Sequence, residues 1–138
     1  MYFADEPSHM EILRDTIRRF VATELPREKA RDLDRRKTFD RDSFRRLAEL
    51  GVCGLTVSAE HGGSRDLVAA VMVIEELCRR GSSLAAAFIH CAFYGALNIE
   101  HSGSEQQRLE LLPGLMRGEL FFAYGLSEPD VGGDLASV

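Results

Sequence analysis

The first apolar pattern of the chain predicts a helix that begins after Ser8 and ends near Pro26. Ser8 and Glu11 stand three residues apart, which is the spacing of a capping box. Beyond them, apolar residues recur three and four apart on one helical face, namely Leu13, Ile17, Phe20 and Val21. Because Pro26 cannot continue a helix, we place the end of this one there.

The signals of the next segment predict a second helix and then an irregular passage. Asp40 is a good N-cap residue for that helix, and Gly51 can adopt the left-handed conformation that ends it. Residues 52–57 (VCGLTV) are typical of a short extended passage. The turn that follows contains Gly62 and Gly63, which both allow a positive φ.

The third predicted helix covers about residues 65–80 and is apolar on all sides at its centre, which indicates burial between neighbours. Its spacing pairs Glu75 with Arg79 and Glu76 with Arg80. A fourth helix begins at Ser82 or Ser83, runs through a long uncharged stretch and ends near residue 101.

The last predicted helices lie before a strand signal. Ser104 and Gln107 form a capping box that opens a helix to about Leu112, and Pro113 suits the first turn of one more short helix, which ends at Gly118. Residues 120–126 (LFFAYGL) are typical of a strand. The fold class predicted is therefore all-α, a bundle of five to six helices with a short C-terminal strand and loop.

The composition is consistent with this predicted fold and excludes some classes of function. The chain has 138 residues, of which 45% are hydrophobic and 28% charged, as in ordinary globular domains. A net charge of −5 argues against a nucleic-acid partner. The uncharged apolar stretch over residues 84–99 is shorter than the roughly 20 apolar residues that cross a bilayer, so we expect no membrane span.

The cysteines point to a reducing compartment. Cys53, Cys78 and Cys91 are an odd number without a CxxC pair, which favours reduced core thiols over a disulfide frame or a metal site. The acidic start of the chain lacks the features of a secretory leader. We therefore expect a cytoplasmic protein without a metal.

Candidate chemistry is concentrated in the final loop, residues 127–134 (SEPDVGGD). Pro129 fixes φ, and the glycines at 132 and 133 allow close approach of the backbone, so main-chain N–H groups there can face a planar or anionic ligand. A loop of this composition can equally be only a turn. Spacing alone leaves both interpretations open.

Four sequence motifs follow one another along the chain. They are residues 50–63 (LGVCGLTVSAEHGG), 74–79 (IEELCR), 103–119 (GSEQQRLELLPGLMRGE) and 126–134 (LSEPDVGGD). In type and order they resemble motifs in the N-terminal part of the acyl-CoA dehydrogenase family, including its flavin-proximal "LTEP-x-AGSD" signature. The first fifty residues are similar to the family's opening helices, though less distinctively.

The resemblance implies a flavoprotein oxidoreductase of fatty acid metabolism that uses FAD to oxidise the α–β carbon bond of an acyl-CoA or other acyl thioester. It also implies an electron-transfer flavoprotein or similar acceptor as a partner, and a homo-oligomer in the complete protein. Residues 1–119 correspond to the family's N-terminal helical domain, and 120–138 to the start of its middle β-domain. Because the family's catalytic glutamate lies in a C-terminal helical domain, we expect no catalytic residue in this chain.

The resemblance also assigns site residues. The expected cofactor-binding residues are Tyr124, Leu126, Ser127, Gly132 and Gly133. The backbone of Leu126 and the amide and hydroxyl of Ser127 would hydrogen-bond the flavin ring, since donors there stabilise the charge of the reduced flavin. The expected substrate-contacting residues are Gly133, Phe88 and Tyr94.

Gly133 departs from the family pattern, which has a serine there. Glycine offers the thioester only its backbone, so the substrate contact is altered, and an acyl group on a carrier protein is one alternative. Phe88 and Tyr94 are interpreted as core residues that can also wall an acyl pocket.

Three residues that invite a functional interpretation are assigned structural roles. Glu128 is expected to hold its turn together through backbone hydrogen bonds rather than to catalyse. His90 is interpreted as a satisfied histidine on a buried helix, and His61 as a turn residue. The alternative for the whole chain is a helical interaction module that pairs with a chain carrying the missing domains, with Phe121, Phe122 and Tyr124 as its apolar edge.

Overall fold

The computed structural model describes residues 7–79, 82–134 and 136. Within them the fold is all-α, as predicted, and the helices are α1 (Ser8–Glu24), α2 (Arg27–Arg35), α3 (Arg41–Ala48), α4 (Leu67–Cys78), α5 (Ser82–Phe88), α6 (Asn98–Ser102) and α7 (Glu105–Met116). A π-helical segment, Ile89–Leu97, joins α5 to α6, and single 3-10 turns cover Val52–Gly54 and Ala59–His61. No helix of the described residues has the length and apolar character needed to cross a membrane.

The start of α1 differs from the expected capping box. Pro7 occupies the N-cap position, and its carbonyl accepts hydrogen bonds from the N–H groups of Met10 and Glu11. Ser8 is therefore already helical, and no side chain caps this end. The predicted apolar face is correct in its centre, because Ile17 and Val21 are buried.

A buried carboxylate ties α1 to α4. Glu76 is almost completely buried, and its oxygens accept hydrogen bonds from Arg14 Nη1 at 2.7 Å and from Arg18 Nε at 3.0 Å and Nη2 at 3.1 Å. Arg79 Nε lies 3.1 Å from the same carboxylate, and Arg14 also reaches Glu75 at 3.2 Å. The helical spacing had instead predicted Glu75 with Arg79, while the predicted partner of Glu76, residue 80, lies outside the described residues.

Burial alone would raise the pKa of Glu76, but the hydrogen bonds from Arg18 and Arg14 outweigh it and hold this pKa below its usual value. The carboxylate is therefore ionised at neutral pH. It joins two helices through residues that lie 58 positions apart in the sequence.

The N-cap prediction for α3 is confirmed. Asp40 accepts a hydrogen bond from the N–H of Ser43 at 3.1 Å, and its carboxylate also takes the Ser43 hydroxyl and Lys29 Nζ, each at 2.6 Å. Burial would raise the pKa of Asp40, but these donors lower it from 3.8 to about 2. The predicted stop is also correct, because Gly51 has a φ of 79°.

Residues 52–57 are not extended, contrary to the sequence interpretation. They form the 3-10 turn Val52–Gly54 and a further turn, in which the N–H of Val57 bonds to the carbonyl of Gly54. All six residues are buried. An apolar run of this length suits a strand and a buried turn equally, and the run has no strand to pair with in the described residues.

The predicted fourth helix is confirmed as one continuous helical stretch through α5, the π segment and α6. The sequence did not indicate that its centre is π-helical. Thr56 donates a hydrogen bond from its hydroxyl to the carbonyl of Ala92 at 2.7 Å inside this segment, and both residues are fully buried. π segments are uncommon and are often found at functional sites.

Helix α7 begins with the predicted capping box of Ser104 and Gln107. Pro113 does not start a separate helix but lies inside α7, which continues to Met116. Leu109, four residues earlier, is the residue whose carbonyl Pro113 leaves without its helical donor, and it is 65% exposed. Gly118 ends the turn with a φ of 67°, as predicted.

Two of the three cysteines are core thiols, as expected, whereas Cys78 is exposed. Burial raises the pKa of Cys53 to about 12, so this thiol stays protonated at neutral pH.

The predicted strand over residues 120–126 does not form. This segment is irregular, and the described residues contain only an isolated antiparallel bridge between Glu128 and Val131. A strand needs a neighbour to bond its backbone groups, and this part of the chain offers none.

Candidate functional site

The segment that follows α7, residues 119–134, is the candidate site and is called the tail below. It leaves the bundle at Gly118, which lies directly over α3. A Cβ atom at Gly118 would stand 2.9 Å from Cβ of Ala48 and 3.3 Å from the ring of Phe44. Because φ is also positive there, only glycine lets the chain turn this close to α3.

The inner face of the tail packs into two glycine notches. A Cβ atom at Gly114 of α7 would lie 2.7 Å from Cδ1 of Leu120, and one at Gly95 of the π segment would lie 3.0 Å from Cβ of Phe122. The thiol of Cys91 also donates to the carbonyl of Leu120, with Sγ and O 3.5 Å apart. Because Gly114 and Gly95 have no side chains, the helices leave the space that the tail occupies.

An aromatic stack continues the inner face. The rings of Tyr124 and Tyr94 are stacked with centroids 4.9 Å apart and planes inclined by 20°. His90 meets Tyr94 edge-on, with centroids 5.2 Å apart. Tyr94 is 39% exposed and Tyr124 is 49% exposed, so this stack offers a flat aromatic surface to solvent.

The outer face of the tail carries a different aromatic contact. The ring of Phe121 lies 5.2 Å from that of Phe44 and 5.5 Å from that of Phe39. The Arg41 guanidinium lies over Phe121, with Cζ 4.7 Å from the ring centroid. The tail is thus held between two surfaces as far as Tyr124.

Beyond Tyr124 the tail is open. Residues 125–134 are exposed except for Leu126 and Val131, which are half-buried. In the described part of the tail after Tyr124, the backbone hydrogen bonds are the two that join Glu128 and Val131, 3.0 and 3.2 Å long. These bonds confirm that Glu128 holds its turn together. The N–H groups of Leu126 and Ser127 have no backbone acceptor among the described residues.

The glycines of this open part leave room for a ligand. A Cβ atom placed at Gly125, Gly132 or Gly133 would meet no other atom within 4 Å. Available main-chain donors, an exposed hydroxyl on Ser127 and a neighbouring flat aromatic surface match the chemistry of a planar ring with acceptor atoms at its edge. These residues therefore fit the isoalloxazine of a flavin.

The structure brings most of the predicted site residues to one end of the bundle, and it buries Phe88 in the core, as the sequence interpretation also expects. Tyr94 and Tyr124 are in contact, and Leu126 to Gly133 follow on the same segment. Phe88, an expected substrate contact, has no exposed surface and packs edge-on against Phe93. Since it is fully enclosed, it lies behind the surface and not on it.

His61 belongs to a separate cluster that the sequence did not reveal. Its Nδ1 lies 3.0 Å from Oε2 of Glu100, whose other oxygen accepts from the N–H of Ser58 at 3.2 Å and from Arg65 Nη2 at 3.0 Å. Burial raises the pKa of Glu100, but the bonds from Ser58 and His61 outweigh it, and the pKa lies below its usual value. The cluster ties the turn to α6, which confirms a structural role for His61.

Comparison with known proteins identifies the family. Residues 7–119 match the family profile of the acyl-CoA dehydrogenase N-terminal domain. The chain is 30% identical over 126 residues to a short-chain-specific acyl-CoA dehydrogenase of Clostridium acetobutylicum, and the match covers 90% of this chain and 33% of that protein. It is 31% identical over 129 residues to the mitochondrial isovaleryl-CoA dehydrogenase of Pongo abelii, covering 91% of this chain and 30% of that protein.

Solved structures show the same fold. A glutaryl-coenzyme A dehydrogenase in complex with glutaryl-CoA superposes on 100% of this chain with a TM-score of 0.90 at 27% identity, over 35% of its own length. An acyl-CoA dehydrogenase from Bacillus anthracis, complexed with FAD, superposes with a TM-score of 0.86 at 28% identity, over 100% of this chain and 24% of its own. The chain spans about a third of the length of the curated relatives it matches. It belongs to the acyl-CoA dehydrogenase family, and its helices form that family's N-terminal domain.

Proposed function

We propose that this chain is the N-terminal portion of an FAD-dependent dehydrogenase that introduces an α–β double bond into an acyl thioester. The observation that carries this proposal is the open part of the tail, where main-chain donors with no backbone acceptor among the described residues follow the Tyr94–Tyr124 stack. The proposed division places the helical domain in residues 1–119 and the start of a middle β-domain in residues 120–138.

In this proposal the tail residues hold the cofactor and the stack borders the substrate. The N–H groups of Leu126 and Ser127, with the Ser127 hydroxyl, donate to the edge of the flavin ring. The main chain of Gly132 and Gly133 approaches the ring closely, because neither glycine has a neighbour in the way. The chemistry that bound FAD supplies is acceptance of a hydride from the β-carbon.

The substrate side follows the same reasoning. Tyr94 and Tyr124 present ring surface to an acyl thioester, and Gly133 offers it a backbone group where the family has a serine hydroxyl. Phe88 contributes by filling the space behind Tyr94's segment. An acyl-CoA is the proposed substrate class.

The proton acceptor for the α-carbon is proposed to lie outside these residues, in a further domain, as in the family. The chain alone therefore supplies part of the cofactor contact and none of the catalytic base. We expect the purified 138-residue chain to elute without a flavin spectrum and to show no dye-coupled acyl-CoA oxidation. Robust turnover by the chain alone would contradict the proposal.

A chimera tests the positive half of the proposal. The corresponding segment of the Clostridium short-chain acyl-CoA dehydrogenase is replaced by residues 1–138 of this chain. We expect the chimera to retain FAD and oxidise a short-chain acyl-CoA, and Ser127→Ala in the chimera to weaken FAD binding because one donor is lost. A folded chimera that binds no FAD would count against the flavin-facing role of the tail.

The exposed apolar surface favours a second candidate role, pairing with a chain that carries further domains. Of the predicted edge, Phe121 and Tyr124 are at least 37% exposed, as is Leu120, whereas Phe122 is half-buried against the core. Such edges mark interaction sites when they are contiguous. Light scattering across a range of concentrations tests this role, since a monomer at every concentration removes self-association as its basis. For the complete protein we propose a cytoplasmic homo-oligomer that passes electrons to an electron-transfer flavoprotein or a similar acceptor.

A further inference from the structure

Phe121 is the residue through which the tail meets the rest of the bundle on its outer face. Its ring is enclosed on three sides, by Phe44, by Phe39 and by the guanidinium of Arg41, at centroid separations of 5.2, 5.5 and 4.7 Å. It is nevertheless 37% exposed, so it is not an ordinary core residue. The motif resemblance assigns no role to it.

Phe121 packs on Phe39, Arg41 and Phe44, which are called its seat below and lie at the N-terminal end of α3 or within it. Phe39 and Arg41 stand on either side of Asp40, the N-cap of α3. The Asp40 carboxylate is fixed by Lys29 Nζ and by the Ser43 hydroxyl, each at 2.6 Å. Because the central residue is fixed, the two flanking side chains are presented to Phe121 in a defined geometry.

Side chains along the tail contact two surfaces in turn, so the seat of Phe121 determines which tail residue faces which surface. This assignment is called the register of the tail. The contacts of residues 120–124 alternate between two surfaces. Leu120, Phe122 and Tyr124 contact α7 and the π segment, whereas Phe121 contacts Phe39 and α3. A slip of one residue would exchange the two faces, and a slip of two would bring Ala123 or Glu119 to the seat, neither of which can fill it.

We propose that Phe121 is the positioning residue that sets the register of the tail, and so aims the main-chain donors of Leu126 and Ser127. This inference rests on the proposed flavin-facing function. Its mechanism is aromatic packing together with a cation–π contact from Arg41, both of which weaken when the ring is removed.

The test uses Phe121→Ala in the 138-residue chain with two independent readouts. The first is the ring-current shift of the Tyr94 and Tyr124 ring protons in NMR spectra, which reports the stack directly. The second is the affinity for FAD, titrated to millimolar concentration. Phe121→Tyr keeps the ring and serves as the conservative variant, and Leu109→Ala is the matched control because it truncates an exposed apolar side chain on α7.

We expect Phe121→Ala to lose the stacking shifts and to weaken FAD binding about tenfold, the scale of losing one to two aromatic contacts. Core methyl signals such as those of Ile17 should stay unchanged. Phe121→Tyr and Leu109→Ala should behave as the unaltered chain does. Arg41→Met, which removes only the cation, should give a smaller effect of about twofold to fivefold.

Unchanged stacking shifts in Phe121→Ala would overturn the positioning role, whatever the affinity for FAD. Equal weakening by Leu109→Ala would also overturn it. If the unaltered chain shows no contact with FAD, the proposed function fails, but the stacking shifts still decide the role of Phe121. The two claims therefore fail separately.

Discussion

Replacing Glu76 by glutamine tests whether the buried carboxylate holds α1 against α4. Glutamine keeps the shape of the side chain and removes its charge. Three arginines then lose their anionic partner, although they respond differently. Arg18 and Arg79 are roughly half exposed and can turn into solvent, whereas the Arg14 side chain is only 11% exposed and still has the Glu75 carboxylate at 3.2 Å.

These contacts set the magnitude. Removing one partner of a fully buried ion pair costs about 3–5 kcal/mol. Because two of the three arginines escape to water and Arg14 retains Glu75, we expect Glu76→Gln to lower the free energy of unfolding by about 3 kcal/mol, at the low end of that range. Glu75→Gln is the matched control, since this carboxylate is 44% exposed, and we expect about 0.5 kcal/mol from it.

The assay is urea unfolding followed by far-ultraviolet circular dichroism at several pH values. The pKa of Glu76 lies below its ordinary 4.5 in the folded chain, so its stabilisation is present above that ordinary value and is lost as the pH falls through the lower folded pKa. The difference between Glu76→Gln and the unaltered chain should therefore shrink in strong acid. If Glu76→Gln lowers the free energy of unfolding at pH 7 no more than Glu75→Gln does, the buried carboxylate does not hold α1 against α4.

Three further predictions concern the helix ends and the notch. Asp40→Asn should lower the free energy of unfolding by about 2 kcal/mol at pH 7, because folding lowers the Asp40 pKa from 3.8 to about 2. In urea titrations this stabilisation should vanish as the pH falls from 4 to 2, and a difference that does not depend on pH would contradict the prediction. Gly95→Val should displace Phe122 at a cost of about 1–3 kcal/mol and weaken the near-ultraviolet dichroism of the tyrosine stack, whereas an unchanged band would show that the notch is not needed. Ser104→Ala should lower the unfolding free energy by about 1 kcal/mol in the same urea assay through loss of the capping box, and no loss would show that solvent replaces the cap.

Local signals in the sequence predicted those parts of the fold that depend on local chemistry. The N-cap at Asp40, the capping box at Ser104 and the stops at Gly51 and Gly118 all form as expected, because each needs only residues within a few positions. Ser8 is the exception. Its spacing to Glu11 was right for a capping box, but the preceding proline fixes the start of the helix one residue earlier.

Features that depend on distant partners could not be predicted in this way. Residues 52–57 have the composition of a strand, yet the layers around them bury a turn. Two of the three arginine partners of Glu76, Arg14 and Arg18, come from another helix, and helical spacing within α4 cannot indicate them.

For the candidate site, the sequence predicts that one loop carries the chemistry, which stays a prediction, and it does not indicate how that loop is held. The motif resemblance placed Leu126 to Gly133, and the structure shows an open segment there. The glycine notches, the Tyr94–Tyr124 stack and the seat of Phe121 are contacts between segments remote in sequence. Residues 120–124 are all apolar, so the sequence does not indicate which of them face which surface, and the run is interpreted as part of a strand.

The most direct test of the flavin-facing tail is an amide NMR titration of the isotope-labelled 138-residue chain with FAD. A flavin-facing tail predicts that the largest chemical-shift changes fall on the amides of Leu126 and Ser127 and their neighbours up to residue 133, with the helices α1 to α3 unaffected. Shifts that map to another surface, or no shift in residues 124–133 at millimolar FAD, would contradict it.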